Sequence, residues 1–285
     1  MNLLDMDFLL VDKPAGMSSF AVVARVRRIL TEQMREDYAR RGLTAPKRAK
    51  VGHAGTLDPF ATGLLICLLG KGTKRAAEFL KKDKRYEATI CLGKTSSTGD
   101  VEGEISEYEF FGKHSLGPSV ASRQNLRRSE TPSKLASPRF LGSLRASSLW
   151  VAPPSGANIP ENCIPDISQV QSTVDSFKGR GRQRVPAYSA VKINGRRAYD
   201  LARKGIEVEM PEREVMIYDI SVVGYEWPYL KIDCKVSSGT YIRVLGEDIG
   251  EALGVGGYLT ELRRTEIGDF SVSEAVTLED LGITS

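Results

Sequence analysis

The stretch GHAGTLDPFATGLLICLLG, residues 52–70, joins two unlike halves. Its first twelve residues hold three glycines, a histidine and an Asp-Pro step, and from Leu64 onward the chain is an unbroken apolar run. LLICLLG has the length and character of a strand buried on both faces. In the loop before it, Pro59 steers Asp58 out of helical backbone into an extended conformation, while Gly52, Gly55 and Gly63 permit tight turns and close approach by a ligand. The pattern describes a carboxylate presented from a rigid loop at the mouth of a buried strand. An Asp-Pro step on its own is equally well explained as a turn.

Upstream of the loop, Ser18 and Ser19 can cap a helix, FAVVARVRRIL, that gathers Val22, Val23, Val26, Ile29 and Leu30 on one face and turns Arg25, Arg27 and Arg28 away. Residues 31–50 read as a basic insertion that lengthens the link to the loop. Downstream, a basic helix is expected to about residue 82, then a strand over RYEATICLG, turn chemistry in TSSTGDVEGE and a further strand. From 112 to 160, Ser, Pro and Gly make up 20 of 49 residues and no period survives, which predicts a disordered insertion. Order resumes with Ile167, Val170, Val174 and Phe177 at helical spacing. RVPAYSAVKING is strand-like and ends in a turn, and RRAYDLARKG is a helix closed by Gly205. REVMIYDISVVGYEW and YLKIDCKVS form a strand pair, TYIRVLGEDIGEALG a capped helix and AVTLEDLGI a short last one. Strands and helices interleave without strict βαβ alternation, so the class is α+β, in one domain spanning 1–285.

A chain of 285 residues, 41% hydrophobic, buries its core without disulfide or metal staples. Cys67, Cys91, Cys163 and Cys234 lie far apart and fit buried thiols of a cytoplasmic protein. The N-terminal charge order is wrong for a signal peptide, and no stretch is long enough to span a membrane. His53 and His114 are the only histidines, and the second falls in the insertion, which leaves little room for a Ser/His/Asp triad or a metal site. Chemistry then rests on carboxylate, Tyr, Lys or Arg. The net charge of +4 is mild but clustered: nine Lys/Arg against three acids over 21–50, seven against two over 71–85, and four against none over 178–184. Three such runs favour a surface that tracks phosphates.

Six segments carry a more specific signal: DKPAGMSS (12–19), VGHAGTLDPFATGLL (51–65), KRYEATICLG (84–93), VPAYSAVKINGRRAYDLARKG (185–205), SSGTYIRVLGEDIG (237–250) and LRRTEIGDF (262–270). In kind and order they resemble bacterial tRNA pseudouridine-55 synthases of the TruB type. The resemblance implies a pseudouridine synthase fold, a mixed and largely antiparallel sheet flanked by helices, working as a monomer on the T-arm of tRNA without cofactor or metal. It makes Asp58 the catalytic carboxylate, acting as nucleophile or as base, Arg243 its cationic partner, and Tyr86 the ring that stacks on the target base. Leu262, Lys13, Gly55 and Leu57 would form the pocket. His53 would lie against the RNA where the base has left its stack, and Lys71, Lys74, Arg75, Lys81, Lys82 and Lys84 would meet phosphates. Members of the family commonly add a small C-terminal PUA-like RNA-binding domain, which this chain is expected to lack. An RNA-binding protein that keeps the fold without efficient turnover is the competing expectation.

Overall fold

The computed structural model describes residues 1–108 and 163–282, apart from positions 190, 194, 204, 207 and 208. The predicted insertion at 112–160, with His114, lies outside the described residues. In chain order the strands are β1 (Phe8–Lys13), β2 (Val51–His53), β3 (Thr62–Leu69), β4 (Lys84–Leu92), β5 (Lys94–Ser96), β6 (Ile105–Glu107), β7 (Gly179–Arg184), β8 (Lys192–Ile193), β9 (Arg196–Arg197), β10 (Glu212–Glu226), β11 (Tyr229–Val236), β12 (Gly257–Ile267) and β13 (Phe270–Ser271). The helices are α1 (Ser19–Arg40), α2 (Ala76–Leu80), α3 (Ile167–Asp175), α4 (Ala198–Ala202) and α5 (Ile242–Ala252).

Among the described residues nine strands form one sheet in the order β1-β3-β12-β4-β11-β10-β7, with β2 on β3 and β13 on β12. Every pairing is antiparallel except β12 with β3, whose parallel contact is short, Arg263 to Thr62 and Arg264 to Gly63. The apolar run behaves as its composition predicts. Leu65, Cys67 and Leu69 pack with Val22, Val23, Val26 and Leu30 of α1, whereas Leu64, Ile66 and Leu68 pack on the opposite face. There they meet the cluster of Phe8, Phe79 and Phe270, with ring centroids 5.3 to 5.9 Å apart.

Several expected elements take a different form. Helix α1 runs on to Arg40, so half of the supposed link at 31–50 is helix. Ser18 caps it, accepting from the Ala21 N–H. The basic helix after β3 is a 3-10 turn over Gly70–Arg75 followed by the five-residue α2. The strand expected in RVPAYSAVKING begins upstream, in GRGRQR, where β7 pairs with β10. Helix α5 has no side-chain cap at Tyr241. Instead, buried Gln183 brackets that residue, accepting from its N–H at 2.9 Å and donating to its carbonyl at 3.1 Å. AVTLEDLGI is not helical: Val276 bridges to Val11 of β1, and Thr277 and Asp280 close a turn.

Gly63 shows why the loop motif ends in glycine. Its φ is +99°, and a Cβ there would collide with the backbone of Arg264, whose nitrogen lies 2.8 Å from the ideal position. The crossing of β3 and β12 depends on that approach. Gly63→Ala is expected to destabilise the fold by more than about 2 kcal/mol, read as a fall in Tm of roughly 5 °C or more in thermal melting.

Candidate active site

Pairing puts one row of residues level across the sheet: Lys13 opposite Gly63, Gly63 beside Arg264, Arg264 opposite Tyr86 and Tyr86 opposite Cys234. Residues level with one another in a sheet share a face. This is the face that carries α1, because Lys13 and Gly63 continue the alternation of Val11 and Leu65, which pack against that helix. Helix α5 lies there too, since its Gly246 approaches Leu259 and Ile90, and Ile90 alternates with Ala88 and Tyr86. The loop of residues 54–61 therefore sits between the starts of α1 and α5.

That loop is fastened from three sides. Ser19 Oγ accepts from the Leu57 N–H at 2.8 Å and donates to the Leu57 carbonyl at 2.9 Å. Lys13, fully buried, spends its Nζ on the carbonyls of Pro14, Met17 and Pro59, at 2.8, 2.7 and 3.1 Å. Burial pushes its pKa down to about 8, against the pull of Asp58. Arg264, only 1% exposed, donates to the carbonyls of Leu64 and Gly55 at 2.8 and 3.1 Å. On the other face the neighbouring Arg263 grips Asp12 through its two terminal guanidinium nitrogens, at 2.7 and 3.1 Å, and so clamps β12 to β1 across β3.

Asp58 projects from this frame with its side chain 35% exposed, and its Oδ2 lies 3.0 Å from Nε of buried Arg243. Arg243 stands in the first turn of α5, and every nitrogen of its fork is engaged. Nη1 reaches Asp100 Oδ2 at 3.3 Å and the Thr98 carbonyl at 2.9 Å, and Nη2 donates to the Tyr188 carbonyl at 2.9 Å. Asp100 is buried and accepts from Thr98 Oγ1 at 2.6 Å and the Glu102 N–H at 3.0 Å. One guanidinium thus holds two carboxylates, the more open of which is Asp58. Burial pushes the Asp58 carboxyl above the ordinary carboxylate range; Arg243 pulls against this, Asp100 adds to it, and Lys13 and Arg264 pull against it more weakly. Nearby, Glu247 is pushed up to about 7 by burial and by Asp248. An oriented carboxylate of this kind suits nucleophilic attack or proton abstraction.

Tyr86 is 8% exposed and Leu262 is similarly covered, and both lie on the face of the sheet that carries Arg264. Leu57 is buried and contributes its backbone to the loop's anchorage, as Gly55 contributes its carbonyl. Lys13 likewise holds the loop rather than lining an open pocket. His53 ends β2, half-buried, with Nδ1 lacking a hydrogen-bond partner; burial and the nearby Arg264 push its pKa down.

The basic run at 71–85 does not stay together. Lys71, Lys74 and Arg75 follow the far end of β3, six residues beyond Gly63 and so about 20 Å from the Asp58 end. Arg75 is paired with Asp7 and Glu78. Lys81 is exposed, and Lys82 pairs with Asp269 and lies over the Phe270 ring. Lys84 corrects the expectation of a phosphate contact: it is 6% exposed and its Nζ donates to the carbonyls of Leu80 and Lys82. Sequence reasoning missed Asp100 and Arg264. The second had a signal in LRR, because adjacent arginines in a strand point to opposite faces and one must enter the interior of a sheet covered on both sides.

A partly open carboxylate held by a buried arginine beside a mixed sheet defines an enzyme site of the carboxylate-dependent type. Comparison with known proteins makes this specific. The model of the TruB family pseudouridylate synthase N-terminal domain matches residues 40–125 and 156–242. That of the tRNA pseudouridylate synthase B C-terminal domain matches 243–283, a span that includes all of α5 but its first residue, and β12 and β13 of the same sheet. Proteins named tRNA pseudouridine synthase B from Corynebacterium diphtheriae and Chloroherpeton thalassium are 38% and 36% identical to the chain. The alignments cover 98% and 97% of this chain, and 73% and 89% of the relatives. The solved Cbf5-Nop10-Gar1 complex contains a similar chain, with TM-score 0.55 and 26% identity over 96% of this protein, which spans about half (53%) of that chain's length. The protein belongs to the TruB family of pseudouridylate synthases.

Proposed function

We propose that this protein isomerises uridine to pseudouridine at position 55 in the T-arm of tRNA, with Asp58 as the acting group. The observation that carries the reading is the Arg243–Asp58 pair: a buried cation aims a partly open carboxylate, at 3.0 Å, from a loop that three further side chains immobilise. In the reaction the N1–C1′ bond breaks, the uracil turns over in the pocket, C5 bonds to C1′, and the proton that leaves C5 is balanced by one taken up at N1. An ionised oxygen on Asp58 serves either as nucleophile towards the sugar or as the base for an elimination and re-addition. Tyr86 stacks on the turning base, Leu262 gives the pocket an apolar wall, and His53 covers the gap the base leaves in the RNA stack.

Lys71, Lys74, Lys81 and Lys82 supply phosphate contacts along the RNA, the first two far along the stem from the reacting base. One copy of the chain carries the carboxylate, its cation and Tyr86, which supports a monomer as the working unit. A tRNA substrate and the buried thiols of Cys67, Cys91 and Cys234 support a cytoplasmic setting. The test is to incubate purified protein with unmodified tRNA transcript and map pseudouridine by carbodiimide adduct and reverse transcription. Modification at the T-arm uridine is expected; tRNA bound at saturation without modification would support the competing reading of a binding protein.

A further inference from the structure

Helix α1 and the segment that leads into the catalytic loop run antiparallel, and three contacts set their register. The Ala49 N–H donates to Thr31 Oγ1 at 3.1 Å, Arg27 Nη2 donates to the Val51 carbonyl at 2.7 Å, and Ser19 Oγ is doubly bonded to Leu57. Phe20, next to Ser19, therefore stands at the rim of the Asp58 loop. It shares a ridge with Arg27, seven residues on, which lies beside the strand that ends at His53. While Val22, Val23, Val26 and Leu30 of the same helix enter the core, Phe20 stays 66% exposed. The Arg27 guanidinium sits 5.8 Å from its ring centroid. A lone exposed phenylalanine is ordinary. This one is backed by a fixed cation and set along the rim from a histidine whose Nδ1 has no partner.

We propose that Phe20, backed by Arg27, is a stacking ledge for an unpaired base of the RNA flanking the everted uridine. A flat apolar ring accepts the π-face of any base, and a guanidinium against it strengthens the platform while offering donors to the adjoining phosphate. The inference rests on the RNA-modifying reading above and adds to it a contact outside the pocket.

The test uses a T-arm hairpin with 2-aminopurine placed in turn at each unpaired position near the target, bound to the Asp58→Asn protein to prevent turnover. Quenching at one flanking position is expected on binding. It should persist in Asp58→Asn carrying Phe20→Trp and be lost with Phe20→Leu, which keeps the bulk but not the ring. In the otherwise unaltered enzyme, Phe20→Leu should raise KM roughly tenfold and leave kcat within about twofold, with Phe20→Trp close to wild type. Phe20→Leu that retains both quenching and KM overturns the ledge, as does a fall in kcat at constant KM. Phe20→Ala, melting within about 2 °C of wild type at this exposed site, gives the same readout if leucine perturbs the helix. Absence of pseudouridine formation by the wild-type enzyme would instead strike at the underlying function, because the quenching is measured without turnover.

Discussion

Asp58→Asn protein will bind unmodified tRNA and convert none of it, with single-turnover rates down by roughly 10³-fold or more. The loss is this large because asparagine keeps the shape of the side chain and removes the ionised oxygen on which both routes to C1′ depend. Stability should hardly suffer. Burial already raises the Asp58 carboxyl above the usual range, so its charge is unfavourable to the fold, and Arg243 keeps its pairing with Asp100 after the substitution. A melting temperature within a few degrees of wild type, with filter binding unchanged and the pseudouridine signal gone, is the expected combination. Loss of binding together with turnover would assign Asp58 to RNA contact instead.

Arg243→Gln reaches further, because one side chain serves two acids. Removing it leaves buried Asp100 and half-buried Asp58 facing each other without their cation. Breaking a buried pair from one side costs about 3–5 kcal/mol; the third of the Asp58 side chain that remains in water puts this case at the low end. The pH dependence has a definite sign. Arg243 is the largest influence holding the Asp58 pKa down, so without it the pKa rises further and the ionised fraction at a given pH falls. The rising limb of the pH–rate profile should therefore move to higher pH, with activity partly recovered as pH increases. Stability moves the other way. A carboxyl whose folded pKa lies above its unfolded value contributes fully at low pH and loses that contribution as pH rises through the folded pKa, so the gap in Tm from wild type should narrow as the solution is acidified. Glu247, pushed up to about 7, titrates close by, and a Glu247→Gln control run in parallel separates its limb from that of Asp58.

Local chemistry made some of this architecture legible and hid the rest. LLICLLG could be read because a strand covered on both faces must be apolar at every position, and β3 is from Leu64 to Leu69. Ser18 could be read as a cap, and Asp58 as a presented acid, because Pro59 and the glycines restrict the backbone where it stands. The fold itself came through the resemblance of six motifs, since nothing in a strand's periodicity tells which distant strand it will join. Helix α1 beyond Leu30 was obscured by a segment polar on nearly all sides, whose helix is extended by propensity and by Met34 against the core. Strand β7, GRGRQR, has two glycines and no apolar alternation, and its conformation is imposed by pairing with β10. Lys84 looked like one more surface cation among seven, and only the fold turns its stem inward. Asp100 sat in what read as turn chemistry; its role arises from Arg243, 143 residues away in sequence.

A structure of the Asp58→Asn protein bound to a T-arm hairpin tests the central claim most directly. The account predicts the target uridine turned out of the loop, its base against Tyr86 and Leu262, and its C1′ within about 3.5 Å of the side chain at position 58. A uridine still stacked in the loop, or a sugar held away from position 58 on another face of the protein, would contradict it.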